Sequence, residues 1–132
     1  MRLTDENKCF ACGGDNPRGL HLEFRFQGDE YVTEFTPQDW HQGWAGIVHG
    51  GLIATLLDEV VTRMCWEREL HVATAELTVR YKQPVPLGRK TITRGRIRKR
   101  RGPFVEAAAE TYLEDGSVAA SASAKLMAQD RG

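Results

Sequence analysis

Gly46-Ile47-Val48-His49-Gly50-Gly51 stands directly ahead of an apolar stretch with helical spacing. Glycines at a helix N-terminus let a ligand come close to the backbone, where open N–H groups and the positive end of the helix dipole favour negative charge. An oxyanion developing on a carbonyl is well held by such a site, a contact worth ~3–4 kcal/mol of barrier. The plainer reading is a turn in which the glycines satisfy backbone geometry and His49 caps the loop. Asp58 follows two turns into the helix. Thr55, Asp58 and Thr62 share a stripe and can line a polar cleft, where a carboxylate made more basic by partial burial activates water. A solvated acid on the polar face is the alternative. Glu59 points about 100° around the helix axis from Asp58, so the two acids are not an obvious pair.

Other reactive residues offer less. His41 and His49 have no Gly-x-Ser-x-Gly nucleophile elbow to serve, and Cys65 falls near the apolar stripe as a core thiol. Trp40 and Trp44 bracket the glycine-rich loop, either as walls of an acyl pocket or as packing anchors. Cys9-x-x-Cys12 is half of a zinc-ribbon pattern, but no second pair follows and His21 lies nine residues on. Four ligands are the norm for a structural site, so no metal is expected from one chain, though a dimer can in principle pool two pairs. Three cysteines without an export signal do not make a disulfide framework.

Charge supplies the third feature. The 18 Lys and Arg balance 18 Asp and Glu, which argues against a general nucleic-acid or membrane binder. The balance is segregated, however: no acid occurs between Glu76 and Glu106, a stretch with ten cations. Arg94, Arg96 and Arg98 can pair across strands with Glu106, Glu110 and Glu114. Arg98-Lys99-Arg100-Arg101 at the next turn is harder to neutralise and suits phosphates. Only Phe104 offers a base a stacking partner nearby, which disfavours RNA.

These residues need a frame to position them. Residues 1–19 read as a leader loop containing the cysteine pair, and 20–132 as one domain. Alternation predicts strands over Leu20 to Phe26 and Tyr31 to Phe35. Leu52, Ile53, Leu56, Leu57, Val60, Val61 and Met64 predict an amphipathic helix from Gly51 to about Glu67. A third strand places Ala73, Ala75, Leu77, Val79 and Tyr81 on one face, and a fourth covers about Lys90 to Lys99, with a bulge expected at Gly95. Asp115-Gly116 predicts a hairpin between strands near Phe104 to Leu113 and Val118 to Met127. The economical α+β architecture is an antiparallel sheet wrapped around one long central helix. No window reaches the ~18 apolar residues of a membrane span and the N-terminal residues lack a signal-peptide core, so a cytoplasmic location is expected.

The pattern Gly-x-Val-His49-Gly50-Gly51-x5-Leu57-Asp58, followed by Thr74-Ala75-Glu76-Leu77-x3-Tyr81-Lys82-x-Pro84-Val85-Pro86, resembles the hotdog-fold thioesterase superfamily, in particular the phenylacetyl-CoA-type acyl-CoA thioesterases. The Cys9-x-x-Cys12-Gly13 opening resembles a leader found in some members. The resemblance implies dimers with sheets joined edge to edge, often tetramers, and sites shared between protomers. By the same resemblance, Gly50 polarises the thioester carbonyl, His49 shapes its loop, Asp58 of the partner subunit is base or nucleophile, and Thr74 orients water. Members with Asn or Gln six residues before the His use it to position water; Gly43 stands there here, and Gln42 is the candidate substitute. The expectation is a homo-oligomeric acyl-CoA thioesterase without metal or organic cofactor. Gly51, Gln42 and Trp44 would shape the substrate site, and Arg98, Lys99, Arg100 and Arg101 would meet the coenzyme A phosphates. A hotdog-fold hydratase or dehydratase and a non-catalytic acyl-CoA-binding protein are the alternatives.

Overall fold

A computed structural model describes residues 2–131. The long helix α1 covers Gly50–Glu67. Around it runs one six-stranded sheet made of β2 (Phe24–Gln27), β3 (Glu30–Phe35), β4 (Val72–Tyr81), β5 (Thr91–Arg101), β6 (Phe104–Tyr112) and β7 (Val118–Ala128). The spatial order is β2-β3-β5-β6-β7-β4, with every pair antiparallel. Two short parallel strands, β1 (Arg2–Leu3) and β8 (Asp130–Arg131), join the ends of the chain. A turn of 3-10 helix, Asp39–His41, precedes the glycine-rich loop.

The periodic apolar positions decide how α1 sits. Ile53, Leu56, Leu57, Val60, Val61, Met64 and Cys65 are buried against β3 to β7. Small residues face them: Ala107 and Ala109 on β6, Ala120, Ala122 and Ala124 on β7, and Thr93 bonded to Thr111 across β5 and β6 at 2.8 Å. The helix therefore seats close to the sheet. Closest is Gly95, where an added Cβ would lie 2.9 Å from Val60 Cγ1. Burial also holds the Cys65 thiol up at about 11, as suits a core sulfur.

Three expectations need correction. The first strand begins at Phe24 rather than Leu20, because His21 takes φ +53° and breaks the extended run, although Leu22 still reaches the core. Gly95 is not a bulge; Gly95 pairs regularly with Ala109, and the register shifts between Ile97 and Lys99 instead. Gly95 is needed for close approach of the helix, the other use of a strand glycine. Third, β4 has a bulge between Thr74 and Glu76, so Ala73, paired with the exposed Met127, does not share a face with Leu77 and Val79, and Ala75 is left unpaired in the bulge. The Asp115-Gly116 hairpin forms as expected, with Gly116 at φ +85°.

Candidate active site

His49 caps α1, its Nδ1 accepting the Gly51 N–H at 2.9 Å. A neutral ring that accepts at Nδ1 carries its proton on Nε2. The His49 carbonyl accepts the N–H groups of Leu52 and Ile53. Gly50 N–H is left with no acceptor among the described residues. It is one of the orphan donors of a helix start, at the positive end of the dipole. Tyr81 Oη donates to the Gly50 carbonyl at 2.7 Å, pinning the peptide from the end of β4. The sequence reading placed Tyr81 on a strand face without this role; a hydroxyl ending an apolar alternation was the available signal.

A cavity of about 590 Å³ opens beside this peptide, with Ile47, Val48, His49, Gly50, Tyr81 and Val85 among its walls. A smaller one of about 370 Å³ lies across His49, between Phe10, Trp40, Gln42 and Leu52. Trp40 and Trp44 line these cavities yet remain 78% and 85% exposed, so neither is a packing anchor within the chain. Gln42 Oε1 accepts the Gly46 N–H at 2.8 Å and braces its own loop. At Gly43 an added Cβ would stand 3.0 Å from His49 Cα, so a side chain there presses on the capping residue.

Asp58 occupies a different part of the helix. Its Oδ1 accepts the Thr74 hydroxyl at 2.7 Å. The Ala75 bulge makes this possible: Thr74 pairs with the buried Leu126 as Leu77 pairs with the buried Ala124, so both turn toward α1. A regular strand would aim Thr74 outward, and re-aiming a side chain is a recurrent use of bulges beside sites. Thr55 and Thr62 do share the polar flank, but their hydroxyls return to the backbone carbonyls of Gly51 and Asp58.

Asp58 and Gly50 are eight residues apart, ~12 Å along the helix axis. One protomer therefore does not bring its carboxylate to the carbonyl that its own Gly50 can hold. The histidines have other partners. His49 Nδ1 caps the helix, and His41 Nδ1 accepts the Gln38 N–H, with burial lowering the His41 pKa. Among the described residues, no histidine is hydrogen-bonded to Asp58.

The basic stretch divides. Arg96 meets Glu110 at 2.7 Å, Arg94 meets Glu30 at 3.8 Å and Gln27 at 2.7 Å, and Arg89 meets Glu114 at 3.7 Å. Among the described residues no carboxylate lies within 4.0 Å of Arg98, Lys99, Arg100 or Arg101. This turn sits at the end of the sheet where β4 begins, since Arg101 pairs with Phe104, Phe104 with Met127 and Met127 with Ala73. Gly50 lies at the other end, beside Tyr81. The turn is thus on the Thr74 side of the molecule, away from Gly50 of the same chain. No described helix is long and apolar enough to cross a membrane.

The fold has known relatives. Acyl-coenzyme A thioesterase THEM4 of Xenopus laevis is 34% identical over 87 residues, 66% of this chain and 39% of that protein. The chain thus matches well under half the length of that curated relative. The crystal structure of protein RHA08564, a thioesterase superfamily protein, superposes with a TM-score of 0.84 at 26% identity, covering 92% of this chain and 63% of that one. A hypothetical thioesterase from Streptococcus pneumoniae TIGR4, crystallised with coenzyme A, superposes at 0.78 with 15% identity, covering 84% and 91%. The six-stranded sheet around one helix is the hotdog fold. Residues 45–120, from the glycine-rich loop through the start of β7, match the family model for the thioesterase superfamily, and the chain belongs to that superfamily.

Proposed function

We propose that this protein is an acyl-CoA thioesterase whose sites each combine two copies of the chain. The observation that carries the reading is the open Gly50 N–H on the wall of a mostly apolar cavity. A thioester carbonyl placed there gains a donor aimed at the oxygen on which charge develops. Such a donor acts in the transition state more than in the ground state. Asp58 is the base: with Thr74 holding one carboxylate oxygen, the other is free to take a proton from water.

The separation within a chain supports the two-copy arrangement, since Asp58 of the partner subunit can approach a carbonyl that this chain's own Asp58 does not reach. β4 ends the sheet with an unpaired edge and carries both Thr74 and Tyr81, so an edge-to-edge dimer would place both beside the shared site. Water then attacks the carbonyl carbon as Asp58 takes its proton. The tetrahedral oxyanion rests on Gly50 N–H, and its collapse breaks the C–S bond while the proton passes to the leaving thiol. Trp40 and Trp44, both exposed, close around the acyl group in the assembly. The cations of Arg98 to Arg101 hold the phosphates of coenzyme A, which suits their lack of acidic partners.

Thiol release from short, long and aryl acyl-CoA substrates tests the reading. The wild type frees one thiol per substrate, and Asp58→Asn slows the release at least ~100-fold while still binding substrate. A crotonyl thioester that is hydrated with its thioester intact would replace hydrolysis with hydration. Tight binding without thiol release across the panel would leave only a binding protein.

A further inference from the structure

The cysteine pair that looked two ligands short of a metal site has a third donor from the helix. Cys9 Sγ, Cys12 Sγ and a Glu59 carboxylate oxygen all lie within 4.8 Å of one another, and Cys9 Sγ meets Glu59 Oε1 at 3.6 Å. A tetrahedral ion with bonds of ~2.0–2.3 Å sets its ligands about 3.3–3.8 Å apart. Closing the triangle takes about 1 Å of side-chain movement.

The loop around the sulfurs is already folded. Ala11 N–H donates to Cys9 Sγ at 3.3 Å, and Gly13 N–H returns to the Cys9 carbonyl at 2.9 Å. The fold-back leaves no room for a side chain at Gly13, where a Cβ would collide with the Cys9 backbone nitrogen. Leu20 N–H and Leu22 N–H bond to the Phe10 and Ala11 carbonyls, and Ala11 joins the hydrophobic core.

The surrounding charges allow a cation. Arg63 is one turn along α1 from Glu59, but its guanidinium is occupied by Asp5 at 3.1 Å and Glu67 at 3.5 Å.

We propose that Cys9, Cys12 and Glu59 bind a zinc ion, with water in the fourth position, fastening the leader loop to the flank of α1. Two sulfurs and one carboxylate suit borderline-soft Zn²⁺, whereas Ca²⁺ and Mg²⁺ take all-oxygen shells. Binding converts two thiols to thiolates and releases two protons, so affinity rises with pH. The assignment does not depend on the thioesterase reading.

The test uses the full chain, reduced and stripped of metal, titrated with Zn²⁺ and with Co²⁺ as a coloured substitute. One equivalent per chain should bind, with a thiolate-to-cobalt charge-transfer band and the visible absorption of tetrahedral Co²⁺. Zinc should release two protons at a pH where both thiols start protonated, and should raise Tm. Cys12→Ser should abolish the charge-transfer band, and Glu59→Gln should weaken zinc at least ~10-fold. Cys65→Ala should leave the cobalt spectrum unchanged. No cobalt band in the reduced wild type overturns the site even if the variants misfold. Half an equivalent per chain means two cysteine pairs share one ion, and unchanged affinity in Glu59→Gln means the carboxylate is not a ligand; either outcome overturns the proposal. A wild type whose cysteines resist reduction and bind no metal overturns it in favour of a disulfide.

Discussion

Asp58 and Glu59 are consecutive acids on one helix, yet they face different parts of the molecule. Asp58 looks toward the open edge of the sheet and accepts the hydroxyl that the Ala75 bulge turns inward. Glu59 looks toward the leader and accepts the Cys9 thiol. A step of about 100° per residue is enough to separate them. The difference teaches that a carboxylate's role follows from the element opposite it. An acid beside an unpaired sheet edge suits a shared catalytic site, whereas a pre-folded loop with two sulfurs suits anchoring.

Exchanging the charge at each position in turn is the strongest way to break this comparison. Asp58→Asn keeps the Thr74 hydrogen bond available but removes the base, and kcat should fall at least ~100-fold with the cobalt spectrum unchanged. Glu59→Gln should do the reverse, weakening metal while thiol release continues at the wild-type rate. If both variants lose hydrolysis equally, the two flanks are not separate.

The next effect comes from the face between them. Val60 follows both acids and rests on Gly95, with no room for another carbon. Gly95→Ala should push the helix from its seat and cost about 1–3 kcal/mol, read as a fall of several degrees in Tm. Because one rigid helix carries both flanks, hydrolysis and metal affinity should decline together, in contrast to the single-acid variants. An unchanged Tm would mean that the helix does not depend on that close approach.

A smaller effect, confined to the Asp58 side, concerns substrate binding. Replacing Arg98, Lys99, Arg100 and Arg101 with glutamine should raise KM for coenzyme A thioesters roughly 10-fold, about 1.4 kcal/mol, with little change in kcat. Added salt should diminish the difference between variant and wild type. An unchanged KM would leave the unpaired cations without a client.

Local signals in the sequence account for the helix, its glycine-rich start and the Asp115-Gly116 hairpin, because each is specified by residues close together in the chain. Gly95 was visible as a special position, but a strand glycine is equally consistent with a bulge and with a close neighbour. The contact with Val60 that decides between them comes from a distant segment. The Ala75 bulge had no signal at all: its flanking residues are ordinary, and its cause lies in pairing with β7, some fifty residues later. The sequence pattern therefore offered Thr74 through family resemblance, while alternation alone pointed it away from Asp58. The third donor beside the cysteines was hidden for the same reason, since Glu59 is 50 residues from Cys9.

The smallest effect probes the anchoring side through pH. Asp5 accepts the Asn7 N–H at 2.8 Å and the Arg63 guanidinium at 3.1 Å, and these hold its pKa below the usual 3.8. Unfolding raises that pKa, so the unfolded chain takes up the proton first as pH falls. The stabilisation is complete above about 3.8 and is lost as pH drops through the folded value. Both partners are partly exposed, so Asp5→Asn should lower stability near neutral pH by less than about 1 kcal/mol, and the difference in Tm from wild type should shrink as pH falls below about 3.8. Asp5 also offsets the Arg63 charge beside Glu59, so the same substitution should weaken zinc binding slightly without changing thiol release. A Tm difference that grew on acidification would show that Asp5 acts as a neutral hydrogen-bonding group and that Glu67 alone balances Arg63.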